Sequence, residues 1–152
     1  MATARASFSV DEVESLIPTL ERIFVQVLQL RAGLRALAQK LERAGTHPAA
    51  SGASSDSEIE AGPPAVRQAK AVFRGLDEAL SDELERVRAL GGEVKDLDLG
   101  LVDFPSTRDG EEILLCWKLG EKSLGYWHAV DGSFASRQPI DARIASAPSR
   151  LD

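Results

Sequence analysis

The sequence predicts an α+β fold: a long antiparallel, coiled-coil-like helical hairpin packed with a small three-stranded antiparallel sheet. Two observations carry this prediction. Apolar residues recur in steps of three and four over residues 13–41 and again over 66–90, the period of a helix facing a partner. From residue 93 the period drops to two, that of a half-buried strand. With 152 residues, the chain 1–152 suits a single domain.

The first helix is expected over 9–43. Ser9 followed by Glu12 is a capping box, and Asp11, Glu12 and Glu14 place negative charge where the helix dipole favours it. The seam then runs Val13, Leu16, Leu20, Ile23, Val27, Leu30, Leu34, Leu37 and Leu41, the narrow stripe of a coiled coil. Pro18 lacks the N–H for a bond back to residue 14, so a kink or a short preceding helix is expected there. Residues 44–63 are rich in Ala, Gly, Ser and Pro and keep no apolar period, which predicts a flexible linker. The second helix is expected over 64–90, with a seam of Val66, Ala69, Phe73, Leu76, Leu80, Leu84, Val87 and Leu90. Gly91 and Gly92 end it. A hairpin of roughly 39 Å outruns strands of about 20 Å. The uncovered seam is therefore expected to be buried in a homodimer.

The sheet is expected over 93–140. Leu97, Leu99 and Leu101 alternate with Asp96, Asp98 and Gly100, so a first strand would pack its leucines on the helices and point Asp96 and Asp98 outward. In the second strand, Ile113, Leu115, Trp117 and Leu119 alternate with Leu114, Cys116 and Lys118. In the third, Tyr126 and His128 share one side and Trp127 takes the other. Asp109-Gly110 and residues 120–123 supply the turns. Few apolar residues follow Ile140, and 141–152 reads as a frayed tail.

Composition excludes several function classes. Lys plus Arg total 18 against 24 for Asp plus Glu, a net charge of -6, which disfavours nucleic-acid binding. The single cysteine, Cys116, forbids an intramolecular disulfide and any zinc site needing two cysteines from one chain. Two histidines, one of them His47 in the linker, exclude three-histidine zinc sites and the HExxH motif. Phosphate-binding glycine loops are absent. No apolar run approaches the roughly 20 residues of a membrane span, and residues 1–13 lack a signal-like apolar region, so a cytoplasmic location is expected.

Chemistry is expected at the sheet. Seven acids (Glu93, Asp96, Asp98, Asp103, Asp109, Glu111 and Glu112) stand against two bases, Lys95 and Arg108. Trp117, Tyr126 and Trp127 cluster nearby. A ligand or partner face is therefore expected from Lys95, Asp96, Asp98, Asp103, Trp117, Glu121, Tyr126, Trp127, His128 and Arg137. Carboxylates with one imidazole suit manganese, iron or zinc, which makes Asp96, Asp98, Asp103 and His128 the candidate metal ligands, although their spacing matches no named metal loop. Cys116 as a nucleophile, with His128 as base and Asp131 orienting it, has no supporting motif; a small packed residue is the plainer role. Arg137 is expected to pair with a clustered aspartate. No catalytic residue is assigned.

The run GGEVKDLDLGLVDFPSTRDGEEILLCWKLGEKSLGYWHAVDGSFASRQPI resembles the C-terminal half of a bacterial family of uncharacterised proteins, catalogued as domain of unknown function 2203. The pieces that carry the resemblance are the FSVDEVESLIPTL helix start, Lys95 to Pro105, Cys116 with Trp117, Gly120 with Glu121, Tyr126 to His128, and Phe134 to Pro139. It covers nearly the whole chain outside the linker and the last dozen residues. The family brings no established activity, but it implies that Asp96, Asp103, Trp127, His128 and Arg137 belong to its pattern. A non-enzymatic interaction or small-ligand-binding module is therefore expected first. The alternatives are a small metal-dependent enzyme or metal-binding protein, and a coiled-coil scaffold. No cofactor is expected beyond a candidate divalent metal, and the expected partners are a second copy of the chain and an unidentified protein or small molecule.

Overall fold

The computed structural model describes residues 7–45 and 62–146. Most of the linker expected over 44–63, with His47, lies outside them. Backbone contacts divide the chain into two compact units, residues 1–24 with 86–152, and residues 25–85. Two helices, α1 (Val10–Arg43) and α2 (Pro64–Ala89), precede an antiparallel sheet. Its strands are β1 (Glu93–Asp96), β2 (Leu101–Arg108), β3 (Glu111–Lys118), β4 (Tyr126–Ala129) and β5 (Gln138–Pro139). They pair in chain order, a five-stranded meander rather than the three-stranded one expected.

The extra strands come from two features. The leucine alternation at 97–101 does not continue one strand. After Asp96 the chain turns: the Asp96 carboxylate accepts from Leu99 N at 2.9 Å, and Gly100, at φ +70°, donates to Asp96 O. Only a residue tolerant of positive φ fits there. Leu99 ends up exposed rather than packed on a helix, and β2 starts afresh at Leu101. At the other end, Gln138 and Pro139 pair with Trp127 and Tyr126 to add β5. Beyond it, Ile144 is buried and bridges Arg108, and Ala145 donates to Thr107 O, so residues 141–146 are tied to the end of β2.

In the sheet-bearing unit, the capping box forms as the sequence predicts: Ser9 N donates to Glu12 Oε1 at 2.8 Å and Glu12 N to Ser9 Oγ at 3.1 Å. Pro18 sits inside α1 without breaking it. Only one ladder bond is forfeited there, while Val13, Ile17, Leu20 and Phe24 are buried and hold both flanking turns in place. Ile17 and Phe24 lie outside the expected seam, so the apolar face is wider than a strict coiled-coil stripe. The sheet meets this helix with Val102, Phe104, Ile113, Leu115 and Trp117, all buried; Phe24 and Trp117 lie 6.1 Å apart, and Phe8 packs edge-on against Phe104. Gly91, at φ +103°, closes α2, and a Cβ there would strike the Phe8 ring. Pro105 is tolerated mid-strand because its carbonyl accepts from Phe8 N at 2.8 Å. N and O of one strand residue point the same way, so the absent N–H faces that edge and not β3.

In the other unit, Val27, Leu41 and Ala69 are buried, and a Cβ on Gly33 would stand 3.2 Å from Leu76 Cδ1. Gly75 has open space around it and is simply tolerated. Among the described residues, no helix is long and apolar enough to cross a membrane.

Candidate functional site

Strand register builds the site on the sheet face opposite the α1-facing core. Asp103 of β2 stands directly across from Cys116 of β3, so their side chains are neighbours on that face. In β4, His128 pairs with Leu114 and Tyr126 with Cys116, on the same face. His128 reaches over β3, and its Nε2 lies 3.0 Å from Asp103 Oδ2. Asp103, Cys116 and His128 are all buried, at 3%, 1% and 3% exposure. One potential ligand atom from each lies within 4.8 Å of the others. They form the floor of a cavity of about 280 Å3. Its apolar walls include Leu101, Leu114 and Phe134, and Lys95, Asp96, Val130 and Ser133 also line it.

Hydrogen bonding defines the state of the floor. His128 Nδ1 lies 2.7 Å from Ala129 O, and a carbonyl can only accept, so Nδ1 carries a proton. His128 Nε2 then faces Asp103 Oδ2 across the 3.0 Å contact. The second carboxylate oxygen, Asp103 Oδ1, is buried with no hydrogen-bond partner. Burying a polar atom in that way costs about 1–3 kcal/mol. Burial pushes the Cys116 thiol up to about 12; the negative charge of Asp103 adds to this, and Arg137 pulls the other way. Cys116 is a protonated thiol at neutral pH, which removes the basis for a nucleophile there. Asp131 is exposed, and it is Asp103 and the Ala129 carbonyl that hold the imidazole.

The remaining expected site residues are distributed otherwise. Trp117 and Trp127 belong to the core face, where Trp117 Nε1 donates to Glu121 O and Trp127 Nε1 to Pro139 O. Glu121 and Arg137 are a clamp. Glu121 accepts from Arg137 at 2.6 Å and from Lys118 N at 2.9 Å, so Arg137 pairs with Glu121 rather than with a clustered aspartate. The guanidinium also stacks on Tyr126, 4.0 Å from the ring centre, and on Phe134 at 4.7 Å. That fixes the segment carrying Phe134 against the cavity. Lys95 pairs with Glu93 at the rim. Asp96 caps the turn at Leu99, and Asp98 is exposed on that turn.

The seven clustered acids do not make one acidic face. Asp96 and Asp98 lie before the start of β2, whereas Asp109, Glu111 and Glu112 lie about 25 Å away around the β2–β3 turn. There Asp109 pairs with Arg143, and Arg108 with Asp141 at 2.8 Å. Of the four metal ligands expected from sequence, Asp103 and His128 converge and Asp96 and Asp98 do not. The third member of the group is Cys116, whose register against both Asp103 and His128 is set by strand pairing and is not readable in the sequence.

The model of one protein family, described as an uncharacterised conserved protein (DUF2203), matches residues 6–140. No curated protein matches the chain, and no solved structure does. The match spans the capped start of α1, the buried floor residues and the Glu121–Arg137 clamp, and the chain belongs to the family of domain of unknown function 2203.

Proposed function

We propose that this chain is a small-ligand-binding module whose ligand enters the cavity on the sheet face. The observation that supports this reading is the buried, unpartnered Oδ1 of Asp103 at the floor of an open cavity of about 280 Å3. Such a carboxylate oxygen wants a donor, and the flanking Leu101, Leu114 and Phe134 want apolar surface. The volume is about that of nine or ten waters at roughly 30 Å3 each. A small amine or amidine with a short apolar tail fits both demands.

Ligand-observed NMR with a panel of such compounds tests this reading. Val130 is exposed on the cavity rim, so Val130→Trp obstructs the mouth without disturbing the core. Compounds that bind the wild-type protein and lose binding in Val130→Trp support the module. Absence of binding across the panel, or binding indifferent to the substitution, sinks it. A second reading concerns the helical unit, where Val25, Leu28 and Val72 are exposed apolar side chains. They favour a homodimer through the helices, which a monomeric sedimentation profile at high concentration would exclude.

A further inference from the structure

We propose that Asp103, Cys116 and His128 form a binding site for a divalent transition-metal ion of borderline softness, zinc foremost. The ligand atoms are one Asp103 carboxylate oxygen, Cys116 Sγ and His128 Nε2. The proposal deepens the cavity reading and rests on it in one respect: a position on the ion opens into the cavity, which all three residues line.

Four independent features of the floor point to a cation. The donor set is one oxygen, one sulfur and one nitrogen, which suits zinc or cobalt and disfavours calcium and magnesium, whose ligands are oxygens. Asp103 Oδ1 is buried without a partner, so the site already holds a carboxylate atom lacking a counterpart. His128 Nδ1–H is anchored on the Ala129 carbonyl at 2.7 Å. That is the arrangement by which metal-binding histidines fix their tautomer, and it aims Nε2 at the site. Finally, the atoms are close enough. Bonds of about 2.0–2.3 Å at tetrahedral angles put ligand atoms about 3.5 Å apart. The present separations are all within 4.8 Å, so side-chain shifts of about 1 Å close the set.

Charge suits a divalent ion. On binding, the Cys116 S–H bond breaks and its proton leaves to solvent. The thiolate and the Asp103 carboxylate then balance the two positive charges within a buried site. Three protein ligands with one open position is the pattern of zinc sites that hold a water or an exchangeable ligand, rather than of closed structural sites.

The test is a cobalt(II) titration of the full chain, purified without a metal-affinity tag and stripped with chelator. One equivalent is expected to produce a thiolate-to-cobalt charge-transfer band, with release of the Cys116 proton, and zinc is expected to displace it. Cys116→Ser, with its folding checked by circular dichroism, should lose the band. Asp103→Asn and His128→Gln should each weaken binding at least about tenfold, while Asp98→Asn leaves it unchanged. A folded wild-type protein without the band, or a band that persists in Cys116→Ser, overturns the proposal. The two readings fail separately. Amines that bind while cobalt does not would leave the cavity reading standing alone, and a cobalt spectrum without amine binding would leave the metal site alone.

Discussion

His128→Ala should be the most destabilising single change at the cavity floor. Its partner Asp103 is about 3% exposed and already has one carboxylate oxygen without a hydrogen bond. Removing the imidazole takes the 3.0 Å contact from the other oxygen. The buried carboxylate then keeps only the weak Cys116 thiol as a donor. Breaking a buried pair in this way costs about 3–5 kcal/mol, most of it the penalty of the group left behind. Asp103→Asn differs, because an amide N–H can still donate to Nε2, and its cost should be about 1 kcal/mol. At roughly 3 °C per kcal/mol for a chain of this length, His128→Ala lowers Tm by about 10–15 °C and Asp103→Asn by about 3 °C. Replacing both residues by alanine should be less damaging than the sum of the single replacements, by about 2 kcal/mol. Urea unfolding followed by tryptophan fluorescence reads the right unit, since Trp117 and Trp127 are both buried in it. A His128→Ala protein within about 1 kcal/mol of wild type, or strict additivity of the alanine replacements, would refute the view that these residues form one coupled buried unit.

Cys116, 1% exposed and with its thiol pushed up to about 12, should react with iodoacetamide at pH 8 at least about a thousandfold more slowly than a free thiol of pKa about 8.5; alkylation at the free-thiol rate in the folded protein would contradict its burial. The same raised thiol is lost as a source of stability when pH rises above about 8.5 toward 12, because the unfolded chain releases that proton first. Cys116→Ser should therefore flatten the alkaline limb of the Tm profile. Gly92→Ala would place a Cβ 2.7 Å from Val102 Cγ1 and 2.8 Å from Phe104 Cζ, both fully buried, and should cost about 1–3 kcal/mol in denaturant unfolding. The hydrogen bond from Arg108 holds the Asp141 carboxyl below the ordinary range. Its contribution is present above about pH 4 and lost as pH falls further. Asp141→Asn should accordingly lower Tm at pH 7, with the gap closing in acid.

Local rules written in single residues determined much of this molecule. The Ser9–Glu12 capping box, the end of α2 at Gly91, the turn at Asp109-Gly110 and the pleat parity of Tyr126 and His128 all rest on interactions within a few positions, so the sequence carries them openly. Even the α+β class follows from the change of period near residue 93. Where two local signals competed, the sequence misled. Leucines alternating over 97–101 resemble a strand, but Asp96 and Gly100 hold a turn through backbone bonds that a hydrophobic pattern does not register. Pro18 resembles a break, but burial on both sides outweighs one missing bond. The site itself belongs to tertiary structure. Asp103, Cys116 and His128 sit on three different strands, and only the pairing register sets which of seven neighbouring acids meets the imidazole. Register depends on every cross-strand contact at once and a slip of one residue would turn Asp103 to the other face, so no window of sequence around any one of the three could disclose the floor they make together.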